Sequence, residues 1–334
     1  MLENHGLPSS AFKQLIGNGE VAESASHPSL SGFSRLKLFC ALSRTPHGLL
    51  DMCTPVFAAL LWLGGFPPVP VIVIGLITTF AGYTAVYALN DLVDFRVDRE
   101  KAAAGGLADA SGDLDGVIVR HPMAQGFLSF REGLAWALFW SAVALLGAFA
   151  LNPVCAAIFL GGCVLEAVYC RLWRVSPYRA LVSGAVKTSG SMAAVFAVDP
   201  HPSPAFVIAL FFAIFLWEIG GQNIPNDLTD LEEDRRMQAR TIPVHFGVDR
   251  AVALAVAAAA LALVLNVVVF QLSPLPHGGV LALPALAAGC YLLAWPGLRL
   301  FAAKDRAAAM NLFTRASYLP PALLGVVLLG LMTA

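Results

Sequence analysis

Asn90-Asp91-Leu92-Val93-Asp94-Phe95-Arg96-Val97-Asp98, at the end of the apolar run Val69–Leu89, decides how this chain is read. The pattern returns 136 residues later as Asn226-Asp227-Leu228-Thr229-Asp230-Leu231-Glu232-Glu233-Asp234, again behind an apolar run. Both copies spell Asn-Asp-x-x-Asp-x-x-x-Asp. Aspartates at i, i+3 and i+7 fall on one face of a helix. Each copy therefore offers three carboxylates pointing one way, with an asparagine alongside. Carboxylates that close repel unless a cation sits between them, and hard oxygen ligands suit Mg2+ that also holds substrate phosphates. Asp91, Asp94, Asp98, Asp227, Asp230 and Asp234 are thus the candidate metal ligands and catalytic residues. Asn90 and Asn226 are candidate substrate contacts. Two such clusters facing one another would make a metal-bridged diphosphate site.

The sequence around both motifs belongs to a membrane protein. Of 334 residues, 58% are hydrophobic and 13% charged, where ordinary soluble domains have about 45–50% and about 25%. Nine stretches are long and apolar enough to cross a bilayer. They are His47–Phe66, Val69–Leu89, Gly133–Leu151, Pro153–Cys170, Ala180–Val198, Pro204–Gly221, Ala251–Gln271, Gly278–Leu298 and Leu312–Met332. The expected fold is an all-α bundle of about nine transmembrane helices carrying a pseudo-repeated aspartate motif. Residues 34–334 read as a single transmembrane domain, behind a mobile, polar segment over 1–33 that lacks the pattern of a signal peptide. Ser34–Leu42 reads as a short amphipathic helix on the membrane surface.

Charge placement tests that span count. One set of loops would be Gly64–Pro68, Asn152, Asp199–Ser203 and Leu272–His277, and none of the 21 Lys and Arg residues falls in them. The positive-inside rule then puts the N-terminus and both motif loops in the cytoplasm, on the inner face of a bacterial plasma membrane. The net charge of -1 says nothing about partners, and no nucleic-acid partner is expected. The six Cys residues show no metal spacing and read as small buried hydrophobes. His47, His121 and His245 have no ligand spacing and read as loop residues.

Each motif is followed by a hydrophilic loop, Arg99–Glu132 and Arg235–Arg250. The first contains Lys101–Asp115, a Gly/Ala-rich stretch suited to a flexible cover, and then Arg120-His121-Pro122-Met123-Ala124-Gln125-Gly126. The second contains Arg240-Thr241-Ile242-Pro243. On the paired motifs, the Arg-x-Pro-x-x-x-Gly element and the Arg240 element, the chain resembles the UbiA-type intramembrane prenyltransferases from about Ser43 onward. That superfamily makes ubiquinone, menaquinone, tocopherol, chlorophyll, haem O and archaeal lipid precursors. The resemblance implies transfer of a prenyl group from an allylic (poly)prenyl diphosphate to a small acceptor. An aromatic acceptor is expected, a quinone or related lipid precursor, with Mg2+ as cofactor and the bilayer as solvent for the greasy chain.

The resemblance also nominates basic contacts. Arg120 and Arg240 would add positive charge to the diphosphate, and Arg44, in Ser43-Arg44-Thr45-Pro46, resembles the family's first-helix Arg. Many members carry Tyr-x-x-x-Lys after the fourth span. Here Tyr169-Cys170-Arg171-Leu172-Trp173 puts Trp at the Lys position, so Arg174 becomes the candidate to supply its charge. Lys187 and Asn223 complete the substrate contacts. A structural Glu166–Lys187 pair is the competing reading of two of the charges inside the spans. Glu218, Gln222, Asn226 and Asp230 form an i, i+4 row running off the sixth span.

Two other functions compete. One is prenyl transfer to a non-aromatic lipid acceptor. The other is a cation transporter using the Asp clusters as ion ligands, but transport sites lie near the midplane at broken helices, whereas these motifs lie at helix ends before long loops. A soluble prenyl-chain-elongating synthase is excluded by composition. Acceptor identity, prenyl length and oligomeric state are not readable from the sequence. The topology is testable with single Cys probes in a Cys-free background. Probes at Asn152, His201 or His277 should label from outside intact cells, and one at Gln238 only after permeabilisation; mixed sidedness of the two motif loops would refute the nine-span arrangement.

Overall fold

The computed structural model describes residues 32–103 and 119–333. Most of the N-terminal segment and of the Gly/Ala-rich cover expected between Lys101 and Asp115 lies outside the described residues. The described chain is helical, and nine of its helices are long and apolar enough to cross a membrane: Thr45–Leu63, Val69–Ala103, Phe130–Leu151, Pro153–Arg171, Arg179–Val198, Pro204–Thr229, Val248–Leu272, Gly278–Ala303 and Arg306–Met332. These are the nine predicted stretches, lengthened at their motif-side ends. The first span packs on the fifth and ninth, the second on the third and fourth, and the sixth on the fifth, seventh and ninth.

The second span shows why its motif clears the apolar layer. Its 35 residues form one continuous helix, about 52 Å long at 1.5 Å per residue. A bilayer core is about 30 Å thick, so the turns that carry Asp91, Asp94 and Asp98 reach its edge and beyond. The sixth span behaves differently. It loosens into a π-helical segment at Glu218–Asn223, resumes over Ile224–Thr229, and breaks at Asp230 before a short helix, Leu231–Arg236. Pro225 is the cause of the first irregularity, because it cannot donate to the carbonyl four residues back. The same device recurs in the eighth span, where π-helical Cys290–Ala294 precedes Pro296. The expectation that each motif lies on one uninterrupted helical face is therefore correct for the first copy and wrong for the second.

Two further features correct the sequence reading. The helix expected over Ser34–Leu42 forms as Gly32–Leu42, but Leu38 and Leu42 are buried against Ala88, Met123, Leu128 and Ala137. That face packs on protein rather than on lipid. Glu166 and Lys187 do not pair. Glu166 accepts from Asn90 Nδ2 at 2.6 Å and Lys187 donates to Asp51 at 2.6 Å.

Close helix approach needs small residues where no hydrophobic force separates lipid from side chain. At Gly220 a Cβ would lie 2.5 Å from the Ala255 carbonyl oxygen and 2.6 Å from the Ala259 nitrogen, both backbone atoms of the seventh span. Gly220→Ala should therefore destabilise the folded protein in detergent by about 1–3 kcal/mol, the usual cost of overpacking. A lowered thermal unfolding midpoint checks this; an unchanged one would show that the two spans can separate freely.

Candidate active site

The two motifs meet at one cavity of about 600 Å3. Asn90, Asp91, Asp94 and Asp98 of the second span line its mouth, together with Asn226 and Asp230 at the end of the sixth. From there the cavity runs the length of the bundle to apolar walls that include Phe66, Ile72, Leu76, Leu151, Val198 and Leu328. A polar mouth over a long apolar shaft is the shape demanded by a ligand with a charged head and a hydrocarbon tail.

Each carboxylate group is held against a cation brought from elsewhere in the chain. Arg44, in a left-handed turn between the Gly32–Leu42 helix and the first span, lies 3.2 Å from Asn90 Oδ1 and 3.6 Å from Asp91 Oδ1. His121 Nδ1 lies 3.1 Å from Asp91 Oδ1 and 3.0 Å from Asp98 Oδ2. Burial alone would pull the His121 imidazole down, but the two carboxylates outweigh it and hold its pKa at about 9. The sequence offers His121 only as a loop residue; in the fold the loop turns back and makes it the counter-charge of the first motif. Its φ of 47° is uncommon for a non-glycine residue, and such conformations concentrate at functional sites.

Arg179 plays the same part for the second motif. It is buried at the start of the fifth span, 3.8 Å from Asp227 Oδ1, 2.5 Å from the Tyr169 hydroxyl, and stacked on the Tyr169 ring at 4.3 Å. Asn223 Nδ2 donates to the same hydroxyl at 3.1 Å. Asp227 and Asp234 are buried without lining the cavity. Burial pushes the Asp234 carboxyl up to about 6, against the pull of Lys101 and Arg179.

The nominated basic residues separate into two groups. Arg44, Arg120 and Lys187 line the cavity, as do Tyr169 and Asn223. Arg174 and Arg240 do not. Arg174 points outward, to Glu100 Oε2 at 2.8 Å and the Met237 carbonyl at 3.2 Å. Arg240 is exposed and donates to the Val175 carbonyl at 3.4 Å. Two cations lie over the Trp173 ring, Arg174 at 5.3 Å from its centre and Lys101 at 4.6 Å, and of these Lys101, also 3.3 Å from Glu233, is the one on the cavity wall. Lys101, Trp173 and Arg179 all line the cavity. Sequence reading missed Arg179 and Lys101 because neither stands in a family motif; the available signal was a basic residue at the motif-side edge of a span.

The residues present fit a divalent cation. Asp227 Oδ2 is buried and has no hydrogen-bond partner among the described residues, although an unsatisfied buried carboxylate oxygen is costly. The ligand atoms of Asp91, Asp98 and His121 lie within 4.8 Å of one another. The oxygen-rich donor set suits Mg2+ rather than a soft metal.

Comparison with known proteins converges on one family. Residues 52–319 match the model of the UbiA prenyltransferase family. A 4-hydroxybenzoate octaprenyltransferase of Pseudomonas fluorescens is 27% identical over 257 residues, 75% of this chain and 78% of the relative. A digeranylgeranylglyceryl phosphate synthase of Thermococcus sibiricus is 21% identical over 214 residues, 64% of this chain and 70% of the relative. The solved structure of a UbiA homolog from Archaeoglobus fulgidus bound to DMAPP and Mg2+ aligns with a TM-score of 0.67 at 19% identity, over 89% of this chain and 99% of that one. A UbiA homolog from Aeropyrum pernix K1 aligns with a TM-score of 0.65 at 20% identity, over 86% and 97%.

The geometry ranks the cations. Arg179→Ala should weaken binding of inorganic diphosphate in the presence of Mg2+ by about tenfold or more, equivalent to roughly 1.4 kcal/mol. Arg174→Ala should leave it within about twofold, as expected of an exposed ion pair. Calorimetric titration of both variants decides; the reverse order would return Arg174 to the site.

Proposed function

As the chain belongs to the UbiA prenyltransferase family, we propose that it transfers the prenyl group of an allylic (poly)prenyl diphosphate to an aromatic acceptor, with Mg2+ as cofactor. That it is a multi-pass membrane prenyltransferase follows from the family and the nine spans. The observation that carries the finer reading is the gathering of Asn90, Asp91, Asp94, Asp98, Asn226 and Asp230, from both motifs, on the wall of one long, otherwise largely apolar cavity. Asp91, Asp94, Asp98, Asp227, Asp230 and Asp234 would hold the metal. Bound there, Mg2+ supplies charge neutralisation to the leaving diphosphate.

The chain's own residues do the rest. Arg44, Arg179 and Lys101 bring fixed positive charge to the diphosphate oxygens, where guanidinium groups favour bidentate contact. Asn90, Asn226 and Asn223 offer amide groups beside them. The apolar shaft below the motifs takes the prenyl chain and excludes water, which would otherwise capture the allylic cation. Residues 34–334 act as one catalytic domain, and the motif loops face the cytoplasm of a bacterial inner membrane, in keeping with the distribution of Lys and Arg.

A non-aromatic acceptor is the second reading, favoured by the resemblance to the glyceryl phosphate synthase. The transporter reading has less support, because both motifs follow the apolar stretches of their spans rather than interrupting them at the midplane.

Purified protein supplied with prenyl diphosphates and an acceptor panel should give a prenylated product by mass spectrometry, only with Mg2+ or Mn2+ present. Asp91→Ala and Asp227→Ala should each abolish it while leaving the protein monodisperse in detergent. Turnover that persists under chelation, or in the double variant, would end the diphosphate reading.

A further inference from the structure

Below the diphosphate mouth the cavity wall carries a second charged cluster, contributed by four different spans. Asp51 of the first span accepts from Lys187 Nζ of the fifth at 2.6 Å and from the Tyr87 hydroxyl of the second. Glu218 of the sixth span accepts from Ser183 Oγ at 2.7 Å through Oε1, and its Oε2 lies 3.9 Å from Lys187 Nζ. That second oxygen is buried and has no hydrogen-bond partner among the described residues. Lys187, Tyr87, Ser183 and Glu218 all line the cavity.

Three helices agree on the depth of this cluster. Tyr87 precedes Asp91 by one turn, Glu218 precedes Asn226 by two, and Lys187 follows Arg179 by two. At 1.5 Å per residue these are displacements of about 6–12 Å below the head-group site. A nucleophile that attacks the first carbon of the prenyl chain must sit within about 3–3.5 Å of it, so it has to enter this level of the cavity.

The charge balance restricts what can enter. The cluster contains two carboxylates and one ammonium; the ammonium is committed to Asp51, whose other oxygen lies 3.8 Å from His47 Nε2, and the Glu218 carboxylate is left without a full partner. A negatively charged ligand group would meet like charge here, whereas a hydroxyl hydrogen would satisfy Glu218 Oε2. The walls beside it are aromatic. His47 stacks on Phe313 with ring centres 5.6 Å apart, and Tyr83 on Tyr87 at 6.5 Å, within the range at which rings attract.

We propose that this cluster is the acceptor subsite, that it takes a neutral hydroxyl-bearing ring rather than a carboxylated one, and that Glu218 Oε2 receives the acceptor's proton. The proposal rests on the prenyl-transfer reading above. As the allylic C–O bond breaks, the diphosphate leaves with that electron pair. A pair from the acceptor forms the new bond to the prenyl carbon, and the proton released by the acceptor passes to Glu218. Asp51 and Lys187 are positioning residues: their pairing neutralises the Lys187 ammonium, which would otherwise draw a carboxylate.

The test uses full-length protein with Mg2+, geranyl diphosphate, and a matched pair of acceptors, neutral methylhydroquinone and anionic 4-hydroxybenzoate. Wild type should prefer methylhydroquinone. Glu218→Gln, close to isosteric, should bind geranyl diphosphate as wild type does but lose at least tenfold in kcat/KM for methylhydroquinone. Asp51→Asn releases the Lys187 charge and should shift the preference toward 4-hydroxybenzoate by at least tenfold, an effect that simple loss of packing would not produce. Unchanged acceptor kinetics in Glu218→Gln, or an unchanged acceptor ratio in Asp51→Asn, would overturn the assignment. Failure of the underlying function looks different: wild type would then show no Mg2+-dependent binding of geranyl diphosphate at all.

Discussion

Six aspartates pressed against the edge of a hydrocarbon layer repel one another, and the arrangement of the bundle answers that repulsion. Removing an ion from water costs several kcal/mol even after relaxation, and only a well-placed opposite charge offsets it. The opposite charges come from distant parts of the chain. Arg44 enters from the turn before the first span, His121 from the loop after the second, and Arg179 from the head of the fifth. Each ion pair fastens one segment to a motif helix, so the electrostatics of the site also fix the position of the elements around it. With His121 held against the first motif in this way, Arg120 and His121 become part of the cavity wall.

The two copies of the motif meet this constraint on different backbones. The first is carried on an unbroken helix, so Asp91 and Asp98, two turns apart, converge on one imidazole. In the second, Pro225 loosens the helix before the motif and Asp230 interrupts it. The break leaves Asp230 on the cavity wall while Asp227 and Asp234 are buried behind, Asp227 against Arg179. Identical residue spacing therefore yields two unlike half-sites. All three aspartates of the first motif line the cavity, whereas of those in the second only Asp230 does, with Asp227 held against a guanidinium.

What the sequence disclosed follows the range of the interactions involved. Spans and motifs depend on residues close together in the chain, so hydropathy and the i, i+3, i+7 spacing located all nine helices and brought Asn90, Asp91, Asp94, Asp98, Asn226 and Asp230 to one cavity. The cations depend on pairings across 30 to more than 130 residues, such as His121 with Asp91 or Lys187 with Asp51, and no local pattern encodes them. Family position misdirected the choice as well. Arg174 stands beside the expected lysine in sequence, yet it pairs with Glu100 outside the cavity, while Lys101 from another helix lines it. A motif specifies which chemistry must be supplied, and the packing decides which side chain supplies it.

The same reasoning bears on why charges persist deep in the shaft. A prenyl chain needs only apolar walls, and a charge at that depth costs about 2.5–3.5 kcal/mol even on lenient scales. Asp51, Lys187 and Glu218 would be a pure liability in a cavity that held nothing but hydrocarbon. Their mutual pairing reduces that cost but does not remove it, because the third charge has no full partner. Replacing such a buried network with apolar side chains is often neutral or stabilising in other proteins, so stability alone does not account for it. The cluster is explained by a ligand that brings polarity of its own to the same level of the bundle, at the one place where a hydrocarbon-filled cavity has to admit a second, more polar reactant.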